Sequence, residues 1–324
     1  MNPVSVLQAL LSVLALFSFC FSAQSQTFPV KPVRLINPNP PGGSIDIQAR
    51  LYSQKLQEVW GQPVVVDYRT GGGTLTGMDH VVKSTPDGYT IGMAVTPLVI
   101  FPALRTEMPY DTARDLAGVM LTAVSSIAIV SSPMLEVNSL ADVIAMAKKN
   151  PGKLTYATPG PGGANHLSFE MLKQSAGIDV LHVPFKGGAQ AYPEVMAGRI
   201  DLQVEPLLGI YRHVKAGKMK AIAVTSAKRD PSAPEIPTIA ETIPGFEVLS
   251  INGIILPRST PRELVNRINA SFRRVLQMPD TVQRFTELGL NIVANSPEEF
   301  DTFIAAEIAR WAKVGKSAGI RLEP

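Results

Sequence analysis

The apolar run Val33–Asn37 leads at once into Pro38, Pro40, Pro41, Gly42, Gly43 and Ser44, and then into a run with helical spacing. The prolines stop a strand. Gly42 and Gly43 let the backbone turn where a Cβ would clash, and Ser44 is placed to cap a helix. Ile45, Ala49, Tyr52, Leu56 and Val59 then fall on one helical face, and Gly61 ends the helix. A strand, a Gly-rich turn and a helix in that order aim free backbone N–H groups and a helix dipole at one point, which suits an anion. The same order also makes an ordinary tight turn between strand and helix. Asp46, in the first helical turn, favours the dipole in either case.

The pattern returns. Leu154–Ala157 reads as a strand, Thr158 to His166 as a second Gly-rich turn, and Phe169, Leu172 and Ala176 as the face of a second helix. Two such turns, far apart in sequence and facing each other, would clamp a carboxylate.

Between and beyond them, strands and helices alternate. Strands are expected at Pro63–Tyr68, Thr90–Val95, Val180–Val183, Ile200–Val204 and Met219–Val224. Helices are expected at Thr74–Lys83, from Ser139 to Pro151, at Ala189–Ala197, and from the capping boxes Thr260/Glu263 and Ser296/Glu299. This rhythm predicts an α/β fold, mostly parallel sheets flanked by helices. The chain has 324 residues, 45% of them hydrophobic. That exceeds one comfortable core, so two lobes are expected. The apolar stretch Val119–Ser131 would cross from one lobe to the other, and Ala221–Val224 would return. Residues 26–125 plus 225–324 then form lobe 1 and residues 126–224 form lobe 2, with the cleft at the carboxyl ends of their strands.

Val4 to Phe21 is apolar and uncharged, and Ser22, Ala23 and Ser25 offer small residues for cleavage. Residues 1–25 read as a secretory signal, although no Lys or Arg precedes the apolar run. A membrane anchor and a lipoprotein at Cys20 are the alternatives. Removal of the signal would also remove the only cysteine, and with it thiolate metal sites, disulfides and cysteine nucleophiles. A net charge of +3 without any Lys/Arg block gives no footprint for nucleic acid.

The chain offers little chemistry. The Walker spacing and the Gly-x-Ser-x-Gly elbow are absent, and the run from Gly160 to Asn165 only approaches a dinucleotide fingerprint. His80, His166, His182 and His213 are far apart in sequence with no ligand spacing, so no metal site is expected, and His182 reads as a hydrogen-bonded structural histidine. Asp46, Asp67 and Glu205 lack the positioned partners of an acid/base pair. No catalytic residue and no cofactor are assigned.

Several stretches carry a resemblance: Pro29–Ile36, Pro40–Asp46, Trp60–Val66, Pro86–Thr90, Asn150–Tyr156, His182–Gly187, Ala216–Lys218 and Ala221–Arg229. In this order they resemble the Bug family, the periplasmic solute receptors of tripartite tricarboxylate transporters, from Phe28 to Pro324. The resemblance implies a two-lobed type II periplasmic binding protein, a Venus flytrap, that holds an organic carboxylate with one loop from each lobe. Carried over by position, those loops are Pro41, Gly42, Gly43 and Ser44 with Asp46, and Gly162, Gly163, Ala164, Asn165 and His166. Asp46 stands for an acidic residue that meets a ligand amine or bridging waters. Thr96 lies in a third loop, and Lys186 and Glu205 follow second-lobe strands.

Four departures bear on the ligand. Asn39 stands where an aromatic residue is frequent, Pro97 where Gly or Ser is common, Gly162–Ala164 where Ser is common, and Ile251 with Asn252 in place of Trp-Phe. These trade large walls for small or polar ones and point to a bulkier acid, an aromatic dicarboxylate such as terephthalate included. The expected protein is a monomer in the periplasm that passes its ligand to membrane permease subunits. A secreted α/β enzyme acting on a carboxylate and a ligand-sensing receptor for a signalling system are the alternatives.

Overall fold

The computed structural model describes residues 28–185, 187–318 and 321–322. The expected signal segment and Lys186 lie outside the described residues, and among those described no helix is long and apolar enough to cross a membrane.

In chain order the first part runs β1 (Val33–Asn37), α1 (Ser44–Trp60), β2 (Val64–Tyr68), α2 (Leu75–Val82), β3 (Thr90–Val95), α3 (Pro97–Leu104) and α4 (Thr112–Asp115). Then come β4 (Leu116–Ser131), α5 (Leu140–Lys149), β5 (Thr155–Thr158), α6 (Ala164–Ala176), β6 (Leu181–Pro184), α7 (Tyr192–Met196), β7 (Leu202–Pro206), α8 (Leu207–Lys215) and β8 (Lys220–Val224). The chain closes with β9 (Leu249–Pro257), α9 (Arg262–Leu276), α10 (Pro279–Glu287), β10 (Asn291–Ile292) and α11 (Pro297–Ala318).

The strand order is β2-β1-β3-β9-β4-β7-β5-β6, with β8 and β10 also paired to β4. The wings are parallel: β1 with β2 and β3, and β5 with β6 and β7. The middle is antiparallel, because β4 and β9 run against their neighbours. Strand β4 is continuous through Ser125 and Ser126 and so crosses from one part of the sheet to the other. Up to Ser126 it pairs with β9, and from Ile127 it pairs with β7 and β8.

Three clusters of buried side chains hold the layers. Val33 and Leu35 face α1, α9 and α10 through Tyr52, Phe272 and Phe285. Ile36 faces the opposite side and joins a cluster that runs on through Leu121, Ile129, Tyr156 and Phe169 to Trp311 of α11. Ala128 and Val130, on the other face of β4, pack with Tyr192 and Ile210. Alternate residues along one strand therefore feed different cores.

Two expected caps differ. Helix α1 begins at Ser44 itself, with Gly43 as N-cap and no side-chain cap. Gly42 needs its glycine because φ is +96°, whereas Gly43 has φ −87° and a Cβ there would meet nothing within 4 Å. Helix α9 begins one residue late, after Pro261, and turns Thr260 into the interior with its hydroxyl unpartnered. The second box does form: Glu299 N donates to Ser296 Oγ at 3.2 Å, and Ser296 N to Glu299 Oε2 at 2.8 Å.

Candidate functional site

The carboxyl ends of β1, β3, β5 and β7 and the N-termini of α1 and α6 converge on a cavity of about 770 Å³. That is the size of a small-molecule site. The first turn of a helix leaves its N–H groups without intrahelical acceptors. Here two such turns point into one space, lined by Ser44 and Ile45 on one side and by Gly163, Ala164 and Asn165 on the other.

Both turns are held by the same device. Gly42 N donates to Asp46 Oδ2 at 2.9 Å, and Gly162 N donates to His166 Nδ1 at 3.2 Å. In each, the side chain four residues on fixes the turn that precedes the helix. Asp46 also accepts from Tyr68 and from Arg50 Nε at 3.1 Å, and the Tyr68 hydroxyl leads the interactions that hold its carboxyl below the usual range. Asp46 is therefore engaged behind its turn and does not line the cavity. His166 must keep Nδ1 unprotonated to accept, and burial pushes its pKa down. The α6 turn thus carries a neutral anchor where the α1 turn carries an anion, which leaves the α6 dipole uncompensated by any such charge.

The histidines, distant in sequence, partly meet in space. The His166 ring stacks on that of His182 at 4.2 Å, and His182 stacks on Tyr156 at 4.8 Å. His182 Nε2 lies 2.8 Å from Thr158 Oγ1, whose hydroxyl contacts Gly160 O at 3.0 Å. The same hydroxyl accepts from Gly160 N at 3.3 Å, which ties His182 to the backbone of the second turn. Burial pushes His182 down to about 4. The pair supports the second turn, and among the described residues no group of three or more potential ligands forms a metal site. The three carboxylates do not assemble either. Asp67 pairs with Arg34 and Arg69, Asp46 with Arg50, and Glu205 stands apart.

Of the residues singled out from the sequence, Asn39, Ser44, Thr96, Gly163, Ala164, Asn165, Glu205 and Asn252 line the cavity. Pro41, Gly42, Gly43, Asp46, Gly162 and His166 do not, although they shape its walls. Gly162 has φ +76°, and a Cβ there would lie 3.3 Å from the methyls of Leu322. Sequence reasoning missed Thr70, Gly71, Gly73 and Thr74 of the loop after β2, and Ser125, Ser250 and Leu290, all of which line the space. The run Gly71–Gly73 was the available signal for the loop. No lining side chain among the described residues is aromatic, Lys or Arg, and Glu205 is the one ionisable side chain of the lining.

This architecture, with paired α/β lobes and an anion-suited cleft, defines a two-lobed solute-binding protein. Residues 48–320 match the family described as the tripartite tricarboxylate transporter family receptor. The UPF0065 protein of the tcbD-tcbE intergenic region of Pseudomonas sp. (strain P51) is 36% identical over 289 residues, 89% of this chain and 86% of its own. Protein BugT of Bordetella pertussis is 31% identical over the full length of both chains. An R. palustris protein solved with adipate superposes with a TM-score of 0.82 at 33% identity, covering 92% of this chain and 100% of its own. The chain belongs to the Bug family of tripartite tricarboxylate transporter receptors, the periplasmic solute-binding proteins of those systems.

Proposed function

We propose that the protein, as a periplasmic monomer, captures an organic dicarboxylate with a long or rigid spacer and delivers it to the membrane permease subunits of a tripartite transporter. Aromatic diacids such as terephthalate fall within this class. The observation that carries the reading is the lining of the cleft: two helix N-termini, amide and hydroxyl side chains among proline and aliphatic ones such as Ile47, Leu208 and Leu290, and no aromatic wall among the described residues. The helix ends hold one carboxylate through backbone N–H groups. Asn39 and Asn252 have amide hydrogens for a second, and Ser44, Thr96 and Asn165 supply further donors. The adipate bound by the R. palustris relative is a diacid with a long spacer, which favours the same class here.

We divide the lobes at 126 and 225, with residues 26–125 and 225–324 in the first and 126–224 in the second. The change of partners along β4 after Ser126 and the bond from Thr225 N to Ile127 O at 2.9 Å support that division. The ligand leaves unchanged, because no described side chain in the cleft has the partners of a nucleophile or of an acid/base pair.

A melting screen tests the class. At about 100 times its dissociation constant a ligand stabilises the folded protein by about 2.7 kcal/mol. At 2–4 °C per kcal/mol for a protein of this size, the midpoint should rise by about 5–10 °C. Adipate and terephthalate are expected to shift it, and aspartate and glutamate are not. The reverse pattern would sink the diacid reading and leave the family untouched.

A further inference from the structure

Glu205 is the penultimate residue of β7, with its carboxyl at the cavity wall. Its Oε2 is buried and has no hydrogen-bond partner among the described residues. The room it occupies exists because residue 188 is glycine, where a Cβ would fall 2.0 Å from Oε2. Gln203, on the same face of β7, donates to Gly188 O at 2.9 Å and so fixes the backbone against which the carboxyl rests. A built niche therefore holds a carboxyl with one orphan oxygen at the edge of the cavity assigned above to an acid.

An ionised carboxylate in that position would repel the ligand. A neutral one has an O–H to give, and a ligand carboxylate is the acceptor that the niche lacks. We propose that Glu205 enters the cleft protonated and donates a hydrogen bond to an oxygen of the bound dicarboxylate, which makes capture proton-linked and selects acids over amino acids. The inference rests on the dicarboxylate reading above.

The surroundings favour the neutral form. Burial alone pushes Glu205 up to about 8. The titratable group that faces it is the phenol of Tyr192, on α7, itself raised to about 12 mainly by burial. Arg212 bears on Tyr192, and the ring of His213 packs 4.8 Å from that of Tyr192. Strand β4 presents Ala128 opposite Glu205, and β5 and α6 bring no charge to it among the described residues. Among the described residues, the N-terminus of α8, two residues further on, is the one element that favours the anion.

The selectivity follows from the same proton. An ammonium group needs a counter-charge in a dry site, and a neutral carboxyl supplies none. A carboxylate or carbonyl oxygen needs only the donor.

The test is calorimetry of adipate and terephthalate between pH 7 and pH 9.5, in two buffers of different ionisation enthalpy. Both acids are fully ionised throughout, so the protein alone supplies any proton. Affinity should fall about 30-fold between pH 7 and 9.5 if the protonated form binds and its ligand-free midpoint is near 8, with net proton uptake at the upper end. Glu205→Gln, which keeps a donor and the shape but cannot titrate, should bind with an affinity that does not change over this range, whatever its size. A wild-type affinity that is flat across the range, or a slope that persists in Glu205→Gln, overturns the proposal while the dicarboxylate reading stands. Failure of both acids to bind at any pH overturns that reading, and the proposal with it.

Discussion

Replacing Gly163 with valine isolates the second turn. Gly163 is the N-cap of α6, with φ −81° and ψ 169°, a conformation open to any L residue. A Cβ there would meet nothing within 4 Å, and the residue lines the cavity, so the new side chain fills the space where a ligand would approach the N–H groups. The fold should tolerate it. Val is a poorer N-cap than Gly by about 1 kcal/mol at most, so the melting midpoint should drop by about 2–4 °C. Binding should suffer far more. A hydrogen bond to a charged group contributes about 1.5–3 kcal/mol, so the loss of one raises the dissociation constant about 10- to 150-fold. Calorimetry with adipate on the folded variant reads this directly. Gly43→Val is the comparison, because Gly43 also has room for a side chain but does not line the cavity, and its effect should be smaller. Gly162→Val cannot serve, since its positive φ and the Leu322 methyls would strain the turn itself. If Gly163→Val binds as wild type does while Gly43→Val does not, the anion is held at the α1 turn and the reasoning here fails.

Three further outcomes are expected. Ser126→Ala removes the hydroxyl that donates to buried Asp230 Oδ2 at 2.6 Å, beside Ser226 at the point where β4 changes partners. Leaving that oxygen unpaired should cost about 1–3 kcal/mol in urea unfolding, and an unchanged midpoint would mean that the network is idle. His182 should titrate near 4 by NMR. Because its folded value lies below the unfolded one, the unfolded chain binds the proton first. The contribution of His182 to stability is therefore full above about 6.5 and is lost as pH falls toward 4, whereas a midpoint near 6.5 would contradict its burial. Finally, a ligand that touches both turns binds the closed form better. Small-angle scattering should then give a smaller radius of gyration with saturating adipate, and an identical profile would count against lobe closure.

The sequence by itself determined the local pieces. Periodicity placed the buried stripe of α1 through Ile45, Ala49, Tyr52 and Leu56, and the strand Thr90–Val95 appears with the bounds that its pattern gave. Both signals are short-range, set by which side chains share a face. The two Gly-rich turns were legible for the same reason, and eight of the residues taken from them and from the other matched positions line one cavity.

Tertiary structure decided what those pieces meet. Strand β9 carries Asn252 and Gly253 at its centre, a pair that reads locally as a turn. It is a strand because β3 and β4 flank it, and Gly253 is required there because a Cβ would lie 2.5 Å from the Phe300 ring. The roles of Asp46 and His166 were likewise hidden. Sequence places both in a turn, but only the packed chain shows each anchoring a backbone N–H behind the cleft wall. Glu205 is the sharpest case. Nothing adjacent in the chain distinguishes it from a surface glutamate. Its niche depends on a glycine 17 residues earlier, brought against it by the pairing of β5 with β6 and β7. Burial and charge state are properties of neighbours in space, and a linear pattern does not carry them.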